Sequence, residues 1–219
     1  MKKIIAVICA LTLAFALGGC GSDKEDYENV SRIENYYFIG ESESFVVILT
    51  AGQKESPTII DGSAGKLGDY ARLTLEVKSG YSDEYSYQIA VGEEGYAGTF
   101  KSEIVGGNMY AEFETSNFAE LSYKVIITHS GTTEEVYLES VITSDMIKWN
   151  EAKAVAEKEL SSNISEMQSE ISDNYEVYIK FVYDSGNAKG SWYVAYANGD
   201  NLSAVLIDPT SGSITAKRE

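Results

Sequence analysis

Between residues 36 and 142 apolar and polar side chains alternate in short runs, and from Trp149 onward the apolar residues recur in steps of three and four. A strand turns successive side chains to opposite faces, whereas a helix brings residues i, i+3 and i+4 to one face. The change of period therefore marks a change of element. The chain reads as a long β-rich segment followed by one that contains a helix.

In the β-rich segment the candidate strands are 36–39, 45–50, 72–79, 85–91, 96–103, 109–115, 122–129 and 134–142, separated by Gly, Asn, Asp and Ser. Leu73, Leu75 and Val77 share one face of the third strand, and Arg72, Thr74, Glu76 and Lys78 the other. Short strands at this spacing, with no helical stretch among them, predict an antiparallel β-sandwich over residues 35–143. An immunoglobulin-like sandwich is the expected form, although the Cys…Trp…Cys spacing of antibody domains is absent. Phe118 followed by Tyr123, Val125 and Ile127 resembles the tyrosine-corner strand of fibronectin-type sandwiches. On that resemblance the Tyr123 hydroxyl bonds back to the backbone just upstream; an ordinary strand tyrosine is the alternative.

Trp149, Ala152, Ala156, Leu160, Ile164, Met167 and Ile171 fall on one helical stripe. Asn150, with Glu151 after it, is the expected N-cap. Ser161, Ser162 and Asn163 compete for backbone hydrogen bonds and mark a point where the stretch divides into two helices. Strands follow at 175–183, 191–197, 203–207 and 214–217, joined by Asp/Asn/Gly-rich turns. The expected C-terminal unit is a helix covering a four-stranded antiparallel meander, with Thr143, Ser144 and Asp145 as the linker before it. The run Glu151-Ala152-Lys153-Ala154-Val155-Ala156, with Trp192-Tyr193-Val194-Ala195-Tyr196 and the stretch from Val205 through Asp208-Pro209-Thr210-Ser211-Gly212 to Ile214, resembles the PepSY-like domains of bacterial envelope proteins over residues 146–219. The resemblance implies an α+β module in secreted or anchored proteins, regulation of an envelope peptidase as a role, and no catalytic residue.

The N-terminus supplies an address. Lys2 and Lys3 precede an apolar run from Ile4 to Phe15 that is too short to cross a bilayer core of about 30 Å. Leu17-Gly18-Gly19-Cys20 resembles a lipobox, so residues 1–19 read as a lipoprotein signal peptide and Cys20 as the lipidated first residue of an exported protein on the outer face of the cell membrane. Cys9 would leave with the signal, and the folded part then contains neither free thiol nor disulfide. Residues 20–34, polar and charged in their first part, read as an acidic tether.

The formal net charge is −17, and loss of Lys2 and Lys3 makes the mature chain more negative still. Nucleic acid is excluded as a partner, because its binding rests on clustered Lys and Arg that are absent here. His129 is the single histidine and stands at a turn, so neither a Ser/His/Asp system nor a zinc site assembles from sequence. Glu93-Glu94 and Glu134-Glu135 read as solvated turn charges, and no Asp/Asn/Gly turn meets the calcium-loop pattern. No cofactor is expected. Tyrosine is the compositional excess, at sixteen residues. Tyr178 and Tyr193 on the C-terminal sheet, and Tyr81, Tyr85 and Tyr96 near two loops, are the candidate contacts for a partner. The expected function is a non-catalytic envelope lipoprotein that binds a protein or peptide; the alternative is a carbohydrate-binding surface protein using the loop tyrosines.

Cys20→Ser is expected to leave the protein without lipid and to move it out of the membrane fraction, since a single anchor gives no second hold. Metabolic labelling with a fatty acid, read beside fractionation, checks this. A lipid-bearing mutant would contradict the assignment.

Overall fold

The computed structural model describes residues 27–57, 63–79, 82, 84–103, 107–170 and 175–218. Cys20, Tyr81 and Ile171 lie outside the described residues, as do the signal and most of the tether.

The architecture is mainly β, with thirteen strands in one connected sheet and two short helices among the described residues. The strands are β1 Val30–Glu41, β2 Phe45–Glu55, β3 Leu67–Val77, β4 Tyr85–Val91, β5 Glu94–Thr99, β6 Lys101–Ser102, β7 Met109–Phe113, β8 Ser122–His129, β9 Thr132–Ser140, β10 Glu176–Asp184, β11 Lys189–Asn198, β12 Asn201–Ile207 and β13 Ile214–Arg218. The helices, α1 Trp149–Glu159 and α2 Ser161–Glu170, fall between β9 and β10. The main path of the sheet is β13-β12-β11-β10-β1-β2-β3-β7-β6, and a branch leaves β1 through β9 to β8, β4 and β5.

β1 is the junction. One of its edges pairs with β2 from Arg32 to Glu41. The other edge pairs first with β10, in parallel, from Val30↔Val177 to Glu34↔Lys180, and then with β9, antiparallel, at Phe38↔Ser140 and Ile39↔Glu139. The register shifts between Glu34 and Tyr36, which leaves Asn35 as an extra residue where the strand changes partner. Gly40 lets β9 come close, because a Cβ there would lie 2.1 Å from the Tyr137 carbonyl oxygen. Residues 30–34, expected to be tether, are thus the first half of a central strand. Their apolar members alternate too briefly, next to the charged Arg32 and Glu34, to stand out from the polar segment before them.

Two cores follow from this junction. The first lies between the two branches: Phe38, Phe45, Val47, Leu49, Leu73 and Leu75 face Ile89, Val125, Ile127, Val136 and Leu138, all buried. The branches approach each other again at β5 and β7, where no backbone ladder forms and the rings of Tyr96 and Phe113 stack at 4.5 Å. The result is nearly a barrel. Tyrosines at the start of β4 and β8 pin their entry loops: the Tyr123 hydroxyl accepts the Glu120 N–H at 3.2 Å, as expected from sequence, and the Tyr85 hydroxyl accepts the Ser82 N–H at 2.7 Å.

The second core forms where α1 and α2 cover β10 to β12. Ala152, Ala156, Leu160, Ile164 and Met167 pack on Val177, Ile179, Phe181, Trp192, Val194, Val205 and Ile207, and β1 adds Val30, Ile33 and Tyr37. The helices divide at Leu160, one residue before the expected weak point. The N-cap is Lys148 and not Asn150: the Lys148 N–H donates to the Glu151 carboxylate at 2.7 Å, while Asn150 Oδ1 takes the Glu151 N–H at 3.0 Å. Trp149 draws the helix start forward, since its ring packs on this core and on Tyr27 at 5.2 Å.

Deletion of residues 1–41 is expected to remove cooperative folding of the second core, although every residue from 146 to 219 is retained. Val30 and Ile33 are fully buried in it, and losing each costs about 2–4 kcal/mol. A dispersed amide spectrum with an unchanged melting temperature would show that β1 is dispensable there.

Candidate functional site

The helices cover one face of the sheet, and the other face carries its polar chemistry. Residues directly opposite in neighbouring strands share a face. The register accordingly aligns Leu206, Tyr193, Lys180, Glu34, Gly52 and Tyr70 in one row across β12, β11, β10, β1, β2 and β3. The adjacent row contains Tyr178, Arg32 and Lys54.

A lattice of ion pairs and rings joins these rows. Arg32 bonds the Glu34 carboxylate, and its Nε donates to the Tyr70 hydroxyl at 3.1 Å. The Lys54 ammonium lies 4.6 Å from the Tyr70 ring centre and 2.9 Å from Glu112. Glu112 also reaches Arg72 at 3.4 Å, and Arg72 bonds Glu103 and lies over the Tyr110 ring at 4.3 Å. Lys180 stands 4.0 Å from Glu34. These charged side chains are largely shielded, Glu34 being 10 % exposed, so each attraction is screened less than at an exposed pair while each charge also bears a desolvation cost.

Their titration follows from that shielding. Burial pushes the Tyr70 hydroxyl far above the usual tyrosine range, and the Glu34 carboxylate adds to the shift. Burial opposes the charge on Arg32, but Glu34 and Tyr70 outweigh it and the net shift is upward. Lys180 moves the other way, because its desolvation exceeds what Glu34 returns. Glu112 is held below the ordinary carboxylate value: burial opposes this, and Lys54 and Arg72 overcome it.

The structure separates the residues singled out from sequence. Tyr178 is half-buried and donates its hydroxyl to the fully buried Glu176, and burial together with that bond raises its pKa. Tyr193 lies on the same face and is partly open. Tyr85 is only 2 % exposed, packed against Phe45 and His129, and so is a core residue and not a rim residue. The alternation of its strand points it inward, and its hydroxyl is spent on Ser82. Tyr96 stacks on Phe113 with its hydroxyl on Glu94. Tyr81 lies outside the described residues, so the loop tyrosines are not brought together as one described surface. Sequence reasoning missed Arg32, Glu34, Lys54 and Tyr70, whose meeting depends on the register of three strands.

His129 is buried between Phe45 and Tyr85, with Nε2 3.5 Å from Glu134, while Ser42 donates to the same Glu134 at 2.9 Å. The carboxylate thus sits between serine and histidine, the reverse of the order that nucleophilic catalysis requires. Among the described residues no group of three His, Cys, Asp or Glu side chains could hold a metal, and no helix is long and apolar enough to cross a membrane. Compared with known protein families, curated proteins and solved structures, the chain matches none.

Tyr70, Tyr178 and Tyr196 all have raised folded-state pKa values, so the fold favours their protonated forms. Their contribution to stability is complete below the ordinary value of 10.0 and is lost as pH rises above it. In an alkaline titration followed by phenolate absorbance, part of the tyrosine signal is expected to appear only together with unfolding by circular dichroism. Free titration of the whole signal on an intact fold would contradict this.

Proposed function

We propose that this chain is an exported, non-catalytic lipoprotein, anchored through Cys20, that presents the outward face of its β10–β12 sheet to a protein or peptide partner at the cell envelope. The observation that carries the reading is the one-sided cover of that sheet. α1 and α2 fill the face of Val177, Ile179 and Phe181, while Lys180, Tyr193 and Val182 on the opposite face keep solvent access, Val182 at 38 %. Partly open aromatic and aliphatic side chains beside a shielded cation suit a polypeptide surface.

The N-terminal part is read as an immunoglobulin-like sandwich, supported by a core shared between two strand branches and by the bond from Glu120 to Tyr123. The C-terminal part is read as PepSY-like, supported by a helix pair over an antiparallel meander; regulation of an envelope peptidase is the role that this resemblance suggests. From Cys20 to Tyr27 an extended chain reaches at most about 25 Å, so the anchor would hold the fold close to the lipid surface.

The two tyrosines of this face are expected to behave differently. Tyr193→Ser should cost about 1 kcal/mol or less and weaken partner binding. Tyr178→Ser should cost about 1–3 kcal/mol more, because it strips a hydrogen bond from the buried Glu176 carboxylate. A photo-crosslinker at position 193 in cells should give one discrete adduct, and the same group at Tyr137, 63 % exposed on β9, should give none. Identical adducts from both positions would remove the sheet face from consideration.

A further inference from the structure

A second site lies at one end of the near-barrel. The connection from β7 to β8 has no regular structure and runs across the mouth, where Phe118 is buried against Tyr36 at 5.2 Å and against Tyr123. Between this strap and the ends of β2 and β3 lies a groove in two parts, of about 580 Å³ and about 230 Å³, that share Asp69, Thr115 and Ser116 as their common wall. Small-molecule sites occupy about 300–1,000 Å³, so the groove is of the right size for a ligand of one or two rings.

Three observations identify the chemistry. Thr115 is 7 % exposed, and its Oγ1 lies beside the Tyr96 hydroxyl with no partner in hydrogen-bonding geometry among the described residues. A buried hydroxyl in that state is costly and is normally satisfied, here by something that enters the groove it lines. The smaller part combines planar polar groups, Asn35, Gln53 and Asp69, with ring faces at its far end, where Tyr27 and Trp149 meet at 5.2 Å and 59°. Amides and carboxylates of this kind donate to and accept from paired hydroxyl groups, and a ring face takes the apolar face of a sugar. Finally, several of the groove's charges are partly engaged, with one oxygen of Asp69 left open and Glu114 exposed. Gln53 donates to Asp69 at 2.9 Å, Lys54 and Arg72 hold Glu112, and Glu94 takes the Tyr96 hydroxyl. Carboxylates outnumber Lys54 along the wall, which repels an anion.

We infer that this groove is a binding site for a neutral saccharide of one or two rings, oriented by Gln53, Asp69 and the Thr115 hydroxyl and stacked toward Trp149. The site is separate from the β10–β12 face and does not depend on the function proposed for that face.

The chain's two tryptophans make the test direct. Trp149 stands at the groove, and Trp192 is 2 % exposed with Nε1 donating to the Ile147 carbonyl, so it serves as a silent reference. The detergent-solubilised full-length protein is titrated with cellobiose, maltose and N,N′-diacetylchitobiose, beside a lysine-rich hexapeptide, by tryptophan emission and calorimetry. A saturable change with at least one disaccharide, absent in its optical part from Trp149→Phe, is expected. Gln53→Ala and Thr115→Val should each weaken binding about tenfold, as the loss of one hydrogen bond to the ligand predicts. Thr115→Val should also leave the melting temperature unchanged or raised, since the hydroxyl it removes has no partner among the described residues. No response to any of the three disaccharides, saturation by the peptide without competition from sugar, or a Thr115→Val variant that loses stability but keeps its affinity would each overturn the inference.

Discussion

The fold rests on the double use of one edge of β1. A strand offers two rows of backbone donors and acceptors, and a buried row left unpaired is costly. β1 spends one row on β2 along nearly its whole length and divides the other between β10 and β9. The extra residue at Asn35 turns the strand between the two partners, and Gly40 lets the second come close. Because Val30 and Ile33 belong to one core and Phe38 to the other, the two cores are joined through a strand and not merely through the connection at residues 143–145.

That junction also explains where the polar chemistry gathers. Pairing β10 to β1 brings Lys180 beside Glu34 and Tyr178 beside Arg32, and pairing β1 to β2 brings Arg32 beside Lys54. Each charge is partly removed from water, which costs energy unless a counter-charge or a ring stands close. Tyr70 meets this need from β3, receiving a hydrogen bond from Arg32 and lying under Lys54. A strongly acidic chain thus places four of its cations, Arg32, Lys54, Arg72 and Lys180, on one sheet face and holds them there with Glu34, Glu103 and Glu112. The smaller part of the groove at the barrel mouth has a different character, with amides, hydroxyls and the Asp69 carboxylate where the sheet face has ion pairs.

Much of this was legible in the residues. Leu73, Leu75 and Val77 announced an inward face, and Leu73 and Leu75 are fully buried. The stripe from Ala152 to Met167 announced a helix face and covers the sheet that follows it. Of the two readings open for Tyr123, the bond back to the backbone just upstream is the one found, at the Glu120 N–H. What stayed hidden were features that depend on partners distant in the chain. Val30 to Glu34 looked like tether because their value lies in β10, some 145 residues onward. Tyr85 and Tyr178 looked alike as strand tyrosines; one is core, and the other is tied to a buried carboxylate.

By itself the sequence determined the periods, and with them the kinds of element and their order, because alternation and helical spacing are local properties of neighbouring side chains. It also carries the contiguous residues 1–20 on which the proposed N-terminal address rests. Only the tertiary structure decided that β1 serves two cores, that Arg32, Glu34, Lys54 and Tyr70 meet, and that Thr115 lines a groove without a partner among the described residues. Strand order and register set these meetings, and a one-residue slip in register turns every side chain of a strand to the opposite face.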